Sequence, residues 1–442
     1  MKIQAPIQRI FSHPNRVIVF LYLLLWSVAV IVQLSAMSFL VGDAGRSFTG
    51  VLFRTLGVFF GVLVIFFLTS RLKEKWITMS GFLIYWGAVL GLILVHFVGS
   101  DLNNAQRTIP VPIIGSIQPT EFFKIGIVFM AARIFGDYYF NTKRLGNWLF
   151  SRFSRRQKPL SFPFFLLAFL PLALTITESL SMTLFLAVLA VLLILYGGGM
   201  DRFARKMIMA GVLVGAVGLI TLLLMPTSCT ESGPFTRANT WKNRLKPDHC
   251  DLSDEEYARL NDAQKDSLTF VITDANRQEK YAKIAVARGL QNGFSGGGSS
   301  EMRHRLPEVY NDFVYALIIE EYGFVGLIGV PLIYILILTY VFKLARRSKS
   351  RYFEILLYGL ASSIVLQALV NMFVATGVFP VTGQTLPLIS YGGSSQLAIS
   401  IQMGFIAAIA SVIHRENLKE KKKREEYELV PQEEASEGTE GE

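Results

Sequence analysis

Asp312 is the residue whose type and place most invite chemistry. A glycine-rich loop (Gly293, Gly296, Gly297, Gly298) leads through Leu306-Pro307-Glu308-Val309-Tyr310-Asn311 and delivers Asp312 onto the first turn of a long apolar helix. Carboxylates are costly beside hydrocarbon. One set at a membrane boundary, with Glu320 and Glu321 about two turns deeper, therefore reads as a candidate functional group. Asp is equally at home at a helix N-terminus, where it caps N–H groups and complements the dipole. Residue type and place leave both readings open.

Other polar stretches interrupt the apolar sequence. Arg107-Thr108-Ile109-Pro110 is followed by Gln118-Pro119-Thr120-Glu121-Phe122-Phe123-Lys124. Pro119 suits a first helical turn and Glu121 a helix N-terminus. Lys124 lies three residues after Glu121 on the same face, so the two either satisfy each other or meet a substrate. Glu178 falls in a very short turn, as a cap or as part of a site. From Asn371 to Ser395, Gly377, Pro380, Gly383, Pro387, Gly392 and Gly393 forbid one continuous helix. Irregular backbone at membrane depth persists only where it packs in protein or lines a watery cavity. A cavity beside Asp312 is the expectation, and a plain structured outer loop is the simpler alternative.

The elements that must hold these groups are membrane-spanning helices. The chain is 52% hydrophobic and 17% charged, with uncharged runs long enough to cross about 30 Å of hydrocarbon as helices. Runs of this length exclude an outer-membrane barrel. The fold class expected is an all-α polytopic integral membrane protein with ten spans: 17–38, 51–70, 76–98, 119–136, 161–177, 180–197, 206–226, 312–342, 352–377 and 394–413. No cleavable signal peptide is evident after Arg16, so the first span is expected to act as the insertion signal.

Lys and Arg crowd alternate connections, including 143–158, 343–351 and 415–424, while the opposite short connections hold only Arg46 and Arg107. This asymmetry places both termini in the cytoplasm and makes the net charge of +10 a matter of orientation, not of nucleic-acid binding. The organisation expected is a cytoplasmic N-terminus (1–16), a ten-helix domain (17–413) containing a large outer loop (227–311), and a disordered cytoplasmic tail (414–442). Cys229 and Cys250 both lie in the outer loop, where they either form a disulfide or stay as two thiols. Segment 253–267 has the acidic start of a short surface helix.

Three motifs carry a resemblance. Val381-Thr382-Gly383-Gln384-Thr385-Leu386-Pro387-Leu388-Ile389-Ser390-Tyr391-Gly392-Gly393-Ser394-Ser395 resembles the signature of the SEDS family of shape, elongation, division and sporulation proteins. Gln118-Pro119-Thr120-Glu121-Phe122 is similar to its Gln-Pro-Ser-Glu-Phe motif, and Pro307 to Phe313 to its Pro-Glu-x-x-x-Asp-Phe motif. Within the family, Gln384-Thr385-Leu386-Pro387-Leu388 and the stretch from Thr236 to Arg244 look most like the division branch of Bacteroidetes type. One departure stands out. Where the family often has Glu-Pro-Asp-x-Gly-Thr, this chain has Glu178-Ser179-Leu180-Ser181-Met182-Thr183 and lacks the Asp.

The resemblance implies a peptidoglycan glycosyltransferase of the cytoplasmic (inner) membrane that polymerises lipid II at its outer face during cell division. It assigns the catalytic carboxylate to Asp312. The substrate-binding candidates are Arg107, Glu121, Lys124, Glu178, Arg237, Arg244, Gln384, Ser394 and Ser395, with Arg107, Lys124, Arg237 and Arg244 as cations for the leaving pyrophosphate. A divalent cation, Mg or Mn, could share that task; no protein metal ligands are singled out. The partners implied are a class B penicillin-binding protein of the FtsI type and other division proteins. Two readings from the same resemblance compete: a flippase for the same lipid, and the elongation polymerase. A scaffold that recruits partners through its tail would leave the outer polar cluster unexplained. Reporter fusions at Ser154 and Asn261 are expected to give opposite sidedness; the same side for both would refute the span count.

Overall fold

The apolar helices of this chain form because hydrocarbon offers backbone N–H and C=O groups no partner except one another. In the computed structural model of this chain, residues 14–43, 48–98, 100–102, 105–111, 115–136, 161–198, 200–224, 277–301, 305–306 and 309–429 are described. The apolar helices are α1 (Pro14–Asp43), α2 (Phe48–Ser70), α3 (Glu74–Val98), α4 (Pro119–Phe135), α5 (Ser161–Glu178), α6 (Leu180–Gly197) and α7 (Arg202–Leu224). An amphipathic helix, α8 (Arg277–Asn292), precedes the last three, α9 (Val314–Ala345), α10 (Arg351–Ala375) and α11 (Gly393–Leu429). Each predicted span overlaps one of these helices. Eight of them are long and apolar enough on their own to cross a membrane. The remaining two are short: α4 has 17 residues and carries Glu121, Lys124 and Arg133, and α5 has Pro171 inside it.

Helices α4, α10 and α11 form the centre. The hydroxyl of Tyr22 on α1 meets Ser400 Oγ on α11 at 2.9 Å, and the Tyr22 ring stacks on Phe66 of α2. At one end of the bundle, Arg351 reaches the Tyr196 carbonyl at 2.6 Å, and Asp201 receives the Ser161 hydroxyl and the Ala204 amide. The opposite end, hereafter the loop end, carries the turns that surround Asp312.

Three features depart from the sequence expectation. In a fold expected to be all-α, the connection before α4 holds a small antiparallel sheet of β1 (Ser100–Leu102), β2 (Ala105–Val111) and β3 (Gly115–Ile117), in the order β1-β2-β3. Pro110 is tolerated in the middle strand because β1 pairs only as far as Thr108. Next, α9 is not one straight span: Gly323 (φ 55°, ψ −135°) breaks it into 314–322 and 324–345. Finally, the tail assigned as disordered from 414 is helical to Leu429, held by the Lys349–Glu420 pair and by Arg424–Glu420 and Lys421–Glu425 at i, i+4. Residues 430–442, the 253–267 segment and both cysteines lie outside the described residues.

Helix α8 packs on the 314–322 half of α9 so closely that a Cβ at Gly289 would stand 1.9 Å from the Ile319 carbonyl oxygen. Gly289→Ala is therefore expected to cost about 1–3 kcal/mol by overpacking, read as a lower Tm of the detergent-purified protein. Gly61→Ala, where a methyl meets open space, should leave Tm unchanged or raised.

Candidate functional site

The backbone just before Asp312 is irregular, so its carbonyls need partners from elsewhere. Three in succession find them. The Tyr310 carbonyl accepts from Gln33 Nε2 of α1 at 3.1 Å and from the Tyr391 amide at 2.8 Å. The Asn311 carbonyl accepts the Ser390 hydroxyl at 2.6 Å, and the Asp312 carbonyl accepts Asn371 Nδ2 of α10 at 2.8 Å. The same donors hold the second turn: Gln33 Nε2 reaches the Ile389 carbonyl at 2.7 Å and Asn371 Nδ2 the Gln384 carbonyl at 2.6 Å. Turn 310–312 is thereby stitched to turn 384–391. The Tyr310 and Tyr391 rings meet edge to face.

Turn 384–391 carries strain of its own. Leu388 is fully buried with φ 65°, a conformation that side chains other than glycine adopt at a cost. It is held there because Gln396 Nε2 of α11 donates to the Leu388 and Ser390 carbonyls, at 3.3 and 3.0 Å, and because the Tyr334 hydroxyl takes the Pro387 carbonyl at 2.6 Å.

Asp312 itself is half-buried at the loop end. It is not on the first helical turn: α9 begins at Val314, and Phe313 occupies the cap position without a side-chain cap bond. Gln384 is buried and its Nε2 faces Met182 Sδ at 3.7 Å; Ser395 is buried and shares a 2.8 Å hydrogen bond with Thr385 Oγ1; Ser394 is half-buried on the first turn of α11. Arg107 is in β2 and Glu178 ends α5, and their side chains lie outside the described set, as do Arg237 and Arg244 altogether. The short turn after α5 is capped by Ser179, whose Oγ accepts the Met182 amide at 3.4 Å.

Glu121 and Lys124 pair with each other. Both are buried, Lys124 Nζ lies 2.7 Å from Glu121 Oε2, and it also donates to Gln367 Oε1 at 2.6 Å. Gln367 continues the chain to the Thr385 carbonyl and Oγ1, at 3.1 and 3.0 Å, and Thr385 meets Ser395. A lysine held this way supports the signature turn from beneath, with its charge met by Glu121.

Glu320 and Glu321 have a similar internal use. Glu321 Oε1 accepts the Ser35 hydroxyl at 2.5 Å and the Gly298 amide at 3.0 Å, while the Glu321 carbonyl takes the Ser295 and Gly296 amides at 2.9 Å. Glu320 accepts the Ser300 hydroxyl and, at 3.1 Å, the Glu301 amide. Instead of descending into the bundle, both carboxylates stay at the loop end and hold the glycine-rich loop on α9. Sequence reasoning did not single out Gln33, Gln367 or Gln396 and named Asn371 only as the start of the broken stretch; the signal that marks them is an amide placed within a largely apolar helix.

Fold and site together define a multi-pass, all-α membrane protein with a polar site built from stitched turns at one end of its bundle. The family model for cell cycle proteins of the FtsW, RodA and SpoVE type matches residues 15–415, and the chain belongs to this family. It is 27% identical over 370 residues to a probable peptidoglycan glycosyltransferase FtsW of Helicobacter pylori strain J99, covering 79% of this chain and 86% of that one. It is 30% identical over 338 residues to the protein of the same name from Hydrogenovibrio crunogenus (76% and 75%), and 29% over 328 residues to that from Burkholderia thailandensis (73% and 62%). The chain thus spans less than two thirds of the Burkholderia protein. Among solved structures it shares its fold with a chain of a peptidoglycan synthase complex that coordinates polymerization and crosslinking (TM-score 0.59, 23% identity, 90% and 97% covered). It also resembles the rod shape determining protein RodA of Thermus thermophilus (TM-score 0.52, 20% identity, 88% and 95% covered).

Removing one partner of a buried ion pair strands the other charge. Lys124→Met is therefore expected to lower stability by about 3–5 kcal/mol, with the double variant Glu121→Leu/Lys124→Met recovering most of the lost Tm. An unchanged Tm in the single variant would contradict the buried pair.

Proposed function

We propose that this chain is a peptidoglycan glycosyltransferase that polymerises lipid II at the outer face of the cytoplasmic membrane during cell division, with Asp312 as its catalytic carboxylate. The observation that carries the reading is the placement of Asp312: a carboxylate at the loop end of a membrane bundle, on a turn whose three carbonyls are all fixed by buried donors. A lipid-tethered substrate holds its sugars near the headgroup plane, within reach of such a group. Asp312 would accept the proton of the acceptor sugar hydroxyl as that oxygen bonds to the anomeric carbon of the donor. The bond from that carbon to the pyrophosphate breaks, and undecaprenyl pyrophosphate departs with the electron pair. The names of the three relatives above, each FtsW, favour division over elongation.

Charge on the leaving group falls to Arg107, Arg237 and Arg244, since Lys124 is committed to Glu121 and Gln367. Among the described residues no three His, Cys, Asp or Glu side chains converge. A divalent cation here would be held mainly by the substrate's own pyrophosphate, as Mg commonly is. The loop end faces outward in this reading and both termini inward, consistent with the Lys and Arg asymmetry. The partner is a class B penicillin-binding protein, whose transpeptidase would crosslink the new glycan, and other division proteins gather on the same complex.

Asp312→Asn separates a base from a structural residue, because it keeps size and polarity while removing the basic oxygen. The variant should insert and bind its penicillin-binding partner as the parent does, yet polymerise labelled lipid II in liposomes about 10²–10⁴-fold more slowly. Parental rates from a folded Asp312→Asn protein would exclude Asp312 as the base.

A further inference from the structure

Two buried amides, on helices far apart in sequence, do the same thing at the two ends of the site. Gln33 of α1 is 1% exposed and its Nε2 bridges the carbonyls of Tyr310 and Ile389; Asn371 of α10 is 0% exposed and its Nδ2 bridges the carbonyls of Asp312 and Gln384. In each case one N–H goes to the turn bearing Asp312 and the other to the turn bearing Gln384. Of an amide's two polar atoms only the nitrogen donates, and its two N–H groups can face two carbonyl oxygens at once, so the amide orientation is dictated by its neighbours. The turns have few alternatives, because neither is helical and the Gln384 turn is buried where the amides meet it.

We infer that Gln33 and Asn371 are positioning residues for glycan polymerisation: as a pair of amide clamps they set the separation and orientation of the Asp312 turn relative to the Gln384 turn. This rests on Asp312 as the catalytic carboxylate and adds the claim that its reach is controlled from α1 and α10. Neither amide touches the sugars; each acts through the backbone of the turn it holds. Seating on two different helices makes the site sensitive to how α1 and α10 sit against each other. A rigid-body shift of either helix would move one turn against the other.

The test uses the full chain with its penicillin-binding partner in liposomes and lipid II as substrate, comparing Gln33→Met, Asn371→Asp and Asp312→Asn. Rates are taken per monodisperse, partner-bound enzyme, so that loss of folded protein does not count. With the clamp gone at either end, kcat should fall by about 10–100-fold, the scale expected of a misplacement on the order of 1 Å. KM for lipid II should change little, because the loss is of transition-state geometry and not of substrate binding. The two sites are independent, so if one variant does not fold the other carries the test. Added to Asp312→Asn, either clamp substitution should cost little further, since it acts through the group already removed; a purely structural role would lower the remaining rate by the same factor in both backgrounds. Parental kcat in both clamp variants, or equal losses with and without the Asp312 carboxylate, would overturn the inference. An inactive Asp312→Asn beside fully active clamp variants sinks the clamp alone, whereas an active Asp312→Asn sinks the proposed function itself.

Discussion

The site depends on giving partners to backbone that is neither helix nor sheet where water is scarce. An unpaired carbonyl in such a place costs on the order of 1–3 kcal/mol, and the turn at 310–312 presents three in a row. Donors from α1, α10 and the 384–391 turn take all of them. The requirement works in both directions: the turns need the amides to be tolerated, and the amides, buried in apolar helices, need the turns' carbonyls. That mutual need binds α1, α10 and α11 into one support around the two turns. It also explains how Leu388 is kept at positive φ, with its carbonyl taken by Gln396 and the next residues anchored on either side.

One functional group, the carboxylate, meets three fates in this bundle, and neighbours decide which. Glu121 is drawn inside by Lys124 and becomes a strut beneath the signature turn. Glu320 and Glu321 are taken up by Ser35, Ser300 and the amides of the glycine-rich loop. Asp312 has its main chain fixed and its side chain half-buried at the loop end, where a lipid-tethered sugar would arrive. A carboxylate's chemistry thus follows from what its environment has already assigned it to do.

The peripheral helices have a different task. Much of α2, α3 and α7 presents exposed Phe, Leu, Val and Trp side chains, the surface expected of helices whose solvent is hydrocarbon. Helix α8 packs against α9, and β3 lies against α11.

Much of this was legible in the chain itself. Uncharged runs of span length are stable in a bilayer as helices, so the all-α membrane class follows from composition and period alone. Gly377, Pro380, Gly383 and Pro387 announced a broken backbone before α11, because neither residue type sustains a helix through such a cluster. Other features belonged to tertiary structure. That Lys124 pairs inward, that Gly323 splits α9, that the 100–117 connection folds as a sheet and that α11 runs on to Leu429 all depend on neighbours distant in sequence or on pairings that polarity alone leaves open. Gln33 and Asn371 show the limit most clearly: sequence marks each as an amide in a largely apolar helix, but carbonyls they hold lie 277 and 59 residues away. A hydrogen bond is chosen by proximity in space, and that proximity exists only once the helices have packed.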